Sequence, residues 1–255
     1  MYKIHPKTLF FGQIIQYLPS CQSTNDEASA LINQQEPAEG LIVVTDHQTA
    51  GRGQRGNQWE AKPGQNLTFS LILKPMFLTA NEQFWLNIAV SLGIYDALLP
   101  LVGDALRIKW PNDIYVGNQK LGGILIENTL HGYNIAWSVA GIGLNVNQTE
   151  FGYSTATSLQ LQAPLPNDYD LPGLLSRLSE TLEHRYLQLR SGQRQAMREN
   201  YLQSLFRYRE EHWFRADDKR FRAVLTGIDP IGRLVLSTET GQRTFDFKEV
   251  TFVID

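Results

Sequence analysis

Gly51-Arg52-Gly53-Gln54-Arg55-Gly56-Asn57-Gln58-Trp59, led in by Asp46-His47-Gln48-Thr49-Ala50, is the stretch on which the reading of this chain turns. It follows an apolar run over residues 41–44, rich in the β-branched residues of a buried strand, so the glycines begin where that strand ends. Glycine permits positive φ, which lets a loop turn its N–H groups toward one concave point, and Arg52 and Arg55 bring positive charge to the same place. Such a loop suits an anion, above all a polyphosphate or a phosphate-bearing intermediate, because arginine forks match phosphate oxygens in pairs. A solvated surface hairpin is the competing reading of the loop alone.

Composition narrows the setting. With 255 residues, 42% hydrophobic and 19% charged, the chain can bury a full core and allows one large domain with a small appendage. A formal charge of -3 and a pI near 6.0 give no global attraction to nucleic acid or an anionic membrane, so any anion site must be local. The lone Cys21 leaves no internal disulfide and no thiolate cluster for zinc, which suits a cytoplasmic protein. His5, His47, His131, His184 and His212 are scattered without metal-ligand spacing. No long apolar signal region opens the chain, and no stretch of uninterrupted apolar residues reaches a membrane span.

Outward from the loop, residues 13–18 read as a first strand and residues 23–33 as a helix whose Ser23-Thr24-Asn25-Asp26-Glu27 start resembles a capping box. Capping alone accounts for Ser23 and Thr24 in the bland reading. Residues 41–46 feed the loop and residues 67–73 leave it as strands. Phe84, Ile88, Leu92, Tyr95 and Leu99 recur at helical spacing over residues 81–99, a core-facing stripe. Residues 107–110 and 114–116 are short strands around Pro111, followed by a hairpin through 120–127 and a long strand over 133–146. Helical spacing returns over 170–190 and 193–209. Four short strands, 221–228, 234–237, 243–247 and 250–254, then suggest a small β-barrel, with a domain border at 212/213.

Two more clusters share the chemistry of the loop. Lys109-Trp110-Pro111-Asn112-Asp113 supplies a point charge for phosphate and a carboxylate that can hold Mg2+ or orient an amine. Lys120-Leu121-Gly122-Gly123 places two glycines within a strand, where a closely approaching ligand is the usual reason for them. No Walker loop, dinucleotide fingerprint or nucleophile elbow is present, so positioning and electrostatic stabilisation of a phosphorylated intermediate fit better than a covalent nucleophile.

Together these residues resemble the biotin protein ligases. Ser23-Thr24-Asn25, Gln48 with Gly51-Arg52-Gly53, Lys109-Trp110-Pro111-Asn112-Asp113, Lys120-Leu121-Gly122-Gly123-Ile124-Leu125 and Gly143-Leu144-Asn145 stand in that family's order and approximate spacing. The resemblance implies an α+β fold: a mixed, largely antiparallel sheet flanked by helices, related to the class II aminoacyl-tRNA synthetase core, over residues 1–212. An SH3-like β-barrel would follow over residues 213–255. It implies adenylation of biotin by ATP with Mg2+, then transfer to a lysine on the biotin carboxyl carrier domain of acetyl-CoA carboxylase. It further implies that Ser23, Thr24, Asn25, Gln48, Gly51, Arg52, Lys120, Gly122 and Gly123 hold biotin. ATP and the adenylate would fall to Arg52, Gly53, Gln54, Arg55, Trp59, Lys109, Asn112 and Asn145, and catalysis to Lys120, Arg52, Lys109 and Asp113, with no metal ligand assigned.

Regulatory members of that family carry a DNA-binding winged helix, for which the dozen residues before the first strand leave no room, so the expectation is a ligase that does not bind DNA or membrane. Dimerisation through a sheet edge, common in the family, stays open at this level. The family loop often carries arginines where this chain has Gln54 and Asn57, which predicts weaker retention of the adenylate. Two rivals remain: a lipoate or octanoyl transferase, and a nucleic-acid-binding protein, against which the acidic balance counts.

Overall fold

A computed structural model describes residues 2–152 and 155–254, with Arg55 described by its backbone alone. The chain order is β1 (Ile15–Leu18), α1 (Thr24–Gln35), β2 (Ile42–Thr45), β3 (Leu67–Leu73), α2 (Phe84–Val102), β4 (Leu106–Lys109), β5 (Asp113–Val116), β6 (Gln119–His131) and β7 (Asn134–Leu144). The helices α3 (Leu159–Gln162), α4 (Leu171–Arg190) and α5 (Arg194–Ser204) follow. Strands β1 to β7 form one sheet in the order β1-β2-β3-β7-β6-β5-β4, parallel only at β1-β2, where α1 makes the crossover.

Why β2 and β3 lack alternation follows from their place in this sheet. Every residue of both is buried, because helices cover the two faces and neither face is left for water. Ile42 and Val44 point into the main core with Phe69 and Leu71, whereas Val43 and Ile72 pack beneath α1 with Ala28 and Val139. Across the main core α2 and α4 approach closely at Gly93, where a Cβ would lie 2.8 Å from the Leu182 Cα. Arg185 pairs with both oxygens of Asp96 at 2.5 and 3.0 Å to fix that crossing. By length and composition α2 is apolar enough to cross a membrane, but its side chains are consumed by this packing.

The last five strands, β8 (Glu211–Ala216), β9 (Lys219–Ile228), β10 (Leu234–Thr238), β11 (Gly241–Phe245) and β12 (Thr251–Phe252), form an antiparallel sheet ordered β11-β10-β9-β8-β12. Sequence reading foresaw four strands and a border at 212/213; β8 is the addition, and it starts at Glu211. The helix expected to reach residue 209 stops at Ser204, because Leu205 bridges Ile108 and Phe206 N–H donates to the Ile108 carbonyl, drawing the chain along β4. The second sheet is pinned to the first by Trp110, whose indole N–H donates to the Gly232 carbonyl at 2.8 Å. Gly232, at φ +94°, sits so close to the Phe84 ring that a Cβ would lie 2.1 Å from it.

The N-terminal segment is held by a buried carboxylate. Glu183, 5% exposed, accepts N–H bonds from Leu9 at 2.7 Å and from Phe10 and Phe11 at 2.8 and 3.0 Å. Replacing Glu183 by Ala strands three donors, so we expect a loss of about 3 kcal/mol. Urea unfolding checks this: the midpoint should fall while the m-value stays constant.

Candidate functional site

A cavity of about 400 Å3 opens on the sheet face beside α1, walled by the glycine loop, the 109–113 turn and the C-terminal residues Phe247 to Phe252. Its base is bare strand. At Gly141 a Cβ would lie 2.3 Å from the Asn25 Oδ1, and at Gly143 equally close to the Trp59 ring, so both side chains rest directly on strand backbone. The Trp59 indole N–H is buried there without a hydrogen-bond partner in the structure.

The polar end is built by the start of α1. Ser23 stands at the N-cap position but makes no side-chain cap bond, so its buried hydroxyl is available to the cavity it lines. This overturns the capping account of Ser23. Thr24 is turned toward Gln48, whose Oε1 accepts from the Thr24 N–H at 2.7 Å and lies 3.1 Å from its hydroxyl. The buried Ser70 hydroxyl lies 2.6 Å from Asn25 Oδ1 and 2.8 Å from Thr24 Oγ1. Amide orientations are fixed, because Asn25 Nδ2 donates to Glu127 at 2.7 Å and Gln48 Oε1 faces a backbone donor. Three short oxygen-oxygen contacts are therefore served by two hydroxyl protons. One contact is therefore without a proton, and the amide oxygens of this cluster keep acceptor capacity that an incoming N–H would use.

At the cationic end, Lys120 Nζ lies 2.6 Å from Asp113 Oδ1. A register shift between Ile114 and Tyr115 opposes β5 to Lys120 there. Lys109 points its ammonium over the Tyr115 ring at 4.7 Å and toward Phe252 at 5.6 Å, with the Tyr115 hydroxyl at 3.2 Å. Burial pushes the Lys109 pKa down; Asp113 opposes that shift, and Lys120 and Arg207 add to it. Burial likewise pushes the Tyr115 phenol up. Arg52 is clamped: Nη1 and Nη2 each donate to Glu127 at 2.9 Å, and Nη2 donates to Asp26 at 2.6 Å. Its guanidinium proton is held more tightly, chiefly through the Glu127 bond.

The structure thus brings Ser23, Thr24, Asn25, Gln48, Arg52, Gly53, Gln54, Trp59, Lys109, Asn112, Asp113, Lys120 and Gly123 around one cavity. Gly51, Gly122 and Asn145 stand outside its lining. Gly122 serves strand packing, since a Cβ would lie 2.8 Å from the Gly143 carbonyl oxygen, and Gly51 serves loop closure against the Trp59 carbonyl. Asn145, 4% exposed, donates to the Thr157 carbonyl at 2.9 Å. The Arg55 side chain lies outside the described residues. Nor is the loop a nest of free amides, for Gly53, Asn57 and Trp59 N–H groups bond to Asn57, Gln54 and Gly51 carbonyls within it. Sequence reading missed Ser70, Glu127, Asp26 and the wall from Phe247 to Phe252. A lone Glu127 closing the apolar run of β6 was the one available signal. Among the described residues no group of three or more His, Cys, Asp or Glu is placed to hold a metal.

The profile of the Biotin/lipoate A/B protein ligase family matches residues 17–145, half of the chain. The chain belongs to that family. It is 30% identical over 249 residues to the Biotin--[acetyl-CoA-carboxylase] ligase of Paracoccus denitrificans, covering 92% of this chain and 99% of that one. To the Bifunctional ligase/repressor BirA of Bacillus subtilis it is 36% identical over 188 residues, 71% of this chain and 56% of that relative. The chain thus spans little more than half the length of the Bacillus relatives it matches. The Aquifex aeolicus biotin protein ligase, solved in complex with biotin and ATP, shares the fold at a TM-score of 0.78 and 23% identity, over 95% of this chain and 100% of that one.

Burial penalises the Lys109 ammonium, so the folded state binds fewer protons than the unfolded chain between the depressed pKa and the usual 10.5. Stability therefore rises with pH across that window. We expect Lys109→Met to raise the melting temperature at pH 7 by roughly 2–4 °C, as a gain of about 1 kcal/mol would in a chain this long. The gain should fade as pH approaches 10.5, which thermal melts across a pH series check.

Proposed function

We propose that this protein is an ATP-dependent biotin ligase that makes biotinoyl-AMP and transfers biotin to a lysine of the biotin carboxyl carrier domain of acetyl-CoA carboxylase. The observation that carries this reading is the polar end, one proton short at Asn25, Ser70, Thr24 and Gln48, with the Ser23 hydroxyl free to donate beside it. A cyclic urea answers both needs, giving an N–H to the Asn25 or Gln48 oxygen and its carbonyl to Ser23. A lipoyl or octanoyl chain has no N–H at that end and would make no such bond. The Paracoccus relative, named for this activity and matched over nearly its whole length, supports the same reading.

In the first step a biotin carboxylate oxygen bonds to the α-phosphorus of ATP as the bond to pyrophosphate breaks. Lys120 draws the two anions together and stabilises the charge that develops between them; Lys109, aimed into the same end, adds a second positive centre. In the second step an acceptor amine bonds to the acyl carbon, the bond to AMP breaks, and the amine releases a proton. Asp113, already holding one ammonium at Lys120, is suited to orient the incoming one. A magnesium ion would be carried chiefly by the nucleotide phosphates, and Asp113, the one carboxylate among the described lining residues and paired with Lys120 in the ligand-free protein, would be the protein's contribution to holding it. When bound, that ion would neutralise charge on the pyrophosphate. The five-stranded sheet is then the small SH3-like domain, and the larger sheet the class II synthetase-like core.

Biotin, ATP and Mg2+ with a carrier domain should give labelled carrier, and Lys120→Ala should slow labelling by on the order of a hundredfold, as loss of a charge-stabilising donor does. Labelling with lipoate instead of biotin would overturn the substrate assignment. Gln54 lines the cavity where the family often has arginine, so Gln54→Arg should slow the release of free biotinoyl-AMP. An unchanged release rate would remove Gln54 from the adenylate site.

A further inference from the structure

Arg52, Glu127, Asn25, Ser70, Thr24 and Gln48 form one continuous run of polar contacts. It runs from the guanidinium of the glycine loop through both Glu127 oxygens to Asn25 Nδ2 at 2.7 Å, and from Asn25 Oδ1 through Ser70 to Thr24 and Gln48. We infer that Glu127 is a positioning residue: it couples the seating of the glycine loop to the orientation of the Asn25 amide, and so to the acceptor pattern that reads the substrate. This rests on the ligase reading for the substrate it names, but the coupling itself belongs to the ligand-free protein.

Three donors converge on Glu127. Arg52 Nη1 takes Oε1, while Arg52 Nη2 and Asn25 Nδ2 share Oε2. Only a carboxylate presents two acceptor oxygens there; a carboxamide would set an N–H against Arg52 in either orientation, and against Asn25 as well in one of them. Asn25 has little alternative, since its remaining Nδ2 proton goes to the Leu125 carbonyl at 3.3 Å, and Gly141 leaves its oxygen lying on the strand. If Asn25 flips, its Oδ1 leaves Ser70, and the acceptor that awaits an N–H becomes a donor. The loop end is tied to the same helix start a second time, because Asp26, next to Asn25, also receives Arg52 Nη2. Loop closure and the polar pattern therefore stand or fall together. Arg52 is accordingly committed to two carboxylates in the ligand-free protein, where the sequence had suggested an adenylate ligand.

The test is a double-mutant cycle on the full chain. Glu127→Gln should speed tryptic cleavage in the glycine loop of the ligand-free protein several-fold. It should raise the KM for biotin in biotin-dependent pyrophosphate exchange about tenfold, with kcat within threefold of the parent. Adding Asn25→Asp reverses the pair, a carboxamide at 127 now donating to a carboxylate at 25, and should restore at least half of the KM loss, while loop cleavage stays fast because the carboxamide nitrogen still faces Arg52 Nη2. Unchanged cleavage and KM in Glu127→Gln would overturn the inference, as would a double variant with a KM no better than that of the single one. Far-ultraviolet circular dichroism and melting of each variant separate these outcomes from misfolding. If the parent shows no biotin-dependent exchange, the ligase reading falls, while loop cleavage in Glu127→Gln still decides whether Glu127 seats the loop.

Discussion

The interaction on which the rest depends is the approach of side chains to naked backbone at Gly141 and Gly143 of β7. An ordinary strand presents a Cβ at every second position, and one at either residue would displace Asn25 or Trp59. Glycine in a strand interior costs conformational entropy, which here is met by pairing on both sides: β7 lies between β3 and β6 over residues 138–144. The cavity thus reaches the sheet because two positions of one strand, β7, were left without side chains at the centre of the sheet.

Charge in the cavity is organised in pairs. Lys120 answers Asp113, Arg52 answers Glu127 and Asp26, and neither group is deeply desolvated. Lys109 is different, caged by Tyr115 and Phe252 and penalised by burial. A cation kept at such a cost is poised for an anion that brings compensation with it, which is how a preorganised electrostatic site gains over water. Two lysines close in sequence therefore carry different physical states, one neutralised by its partner and one waiting.

Most of the large sheet was legible because its strands are apolar and bounded by glycine, proline or asparagine, and residues 67–73 were placed without error. β8 escaped because Glu211, His212, Trp213 and Arg215 are polar or partly exposed, with Phe214 and Ala216 alone facing inward. At the site, motif spacing brought the Lys109 and Lys120 clusters together with the loop, since each sits on a strand end or turn. What spacing could not give is three-dimensional neighbourhood. Glu127 lies 75 positions from Arg52, and Ser70 lies 45 from Asn25. The same blindness misplaced Asn145, whose motif glycine faces the cavity while the asparagine turns behind the strand to hold Thr157.

The junction of Trp110, Gly232 and Phe84 has a positional consequence. Trp110 stands between Lys109 and Pro111 in the turn that lines the cavity, yet its indole is anchored on the second sheet, and Gly232 leaves the Phe84 ring no slack. The two sheets are therefore tied together at this point, and the placement of the 109–113 turn, with the cationic end of the cavity, is set jointly by both.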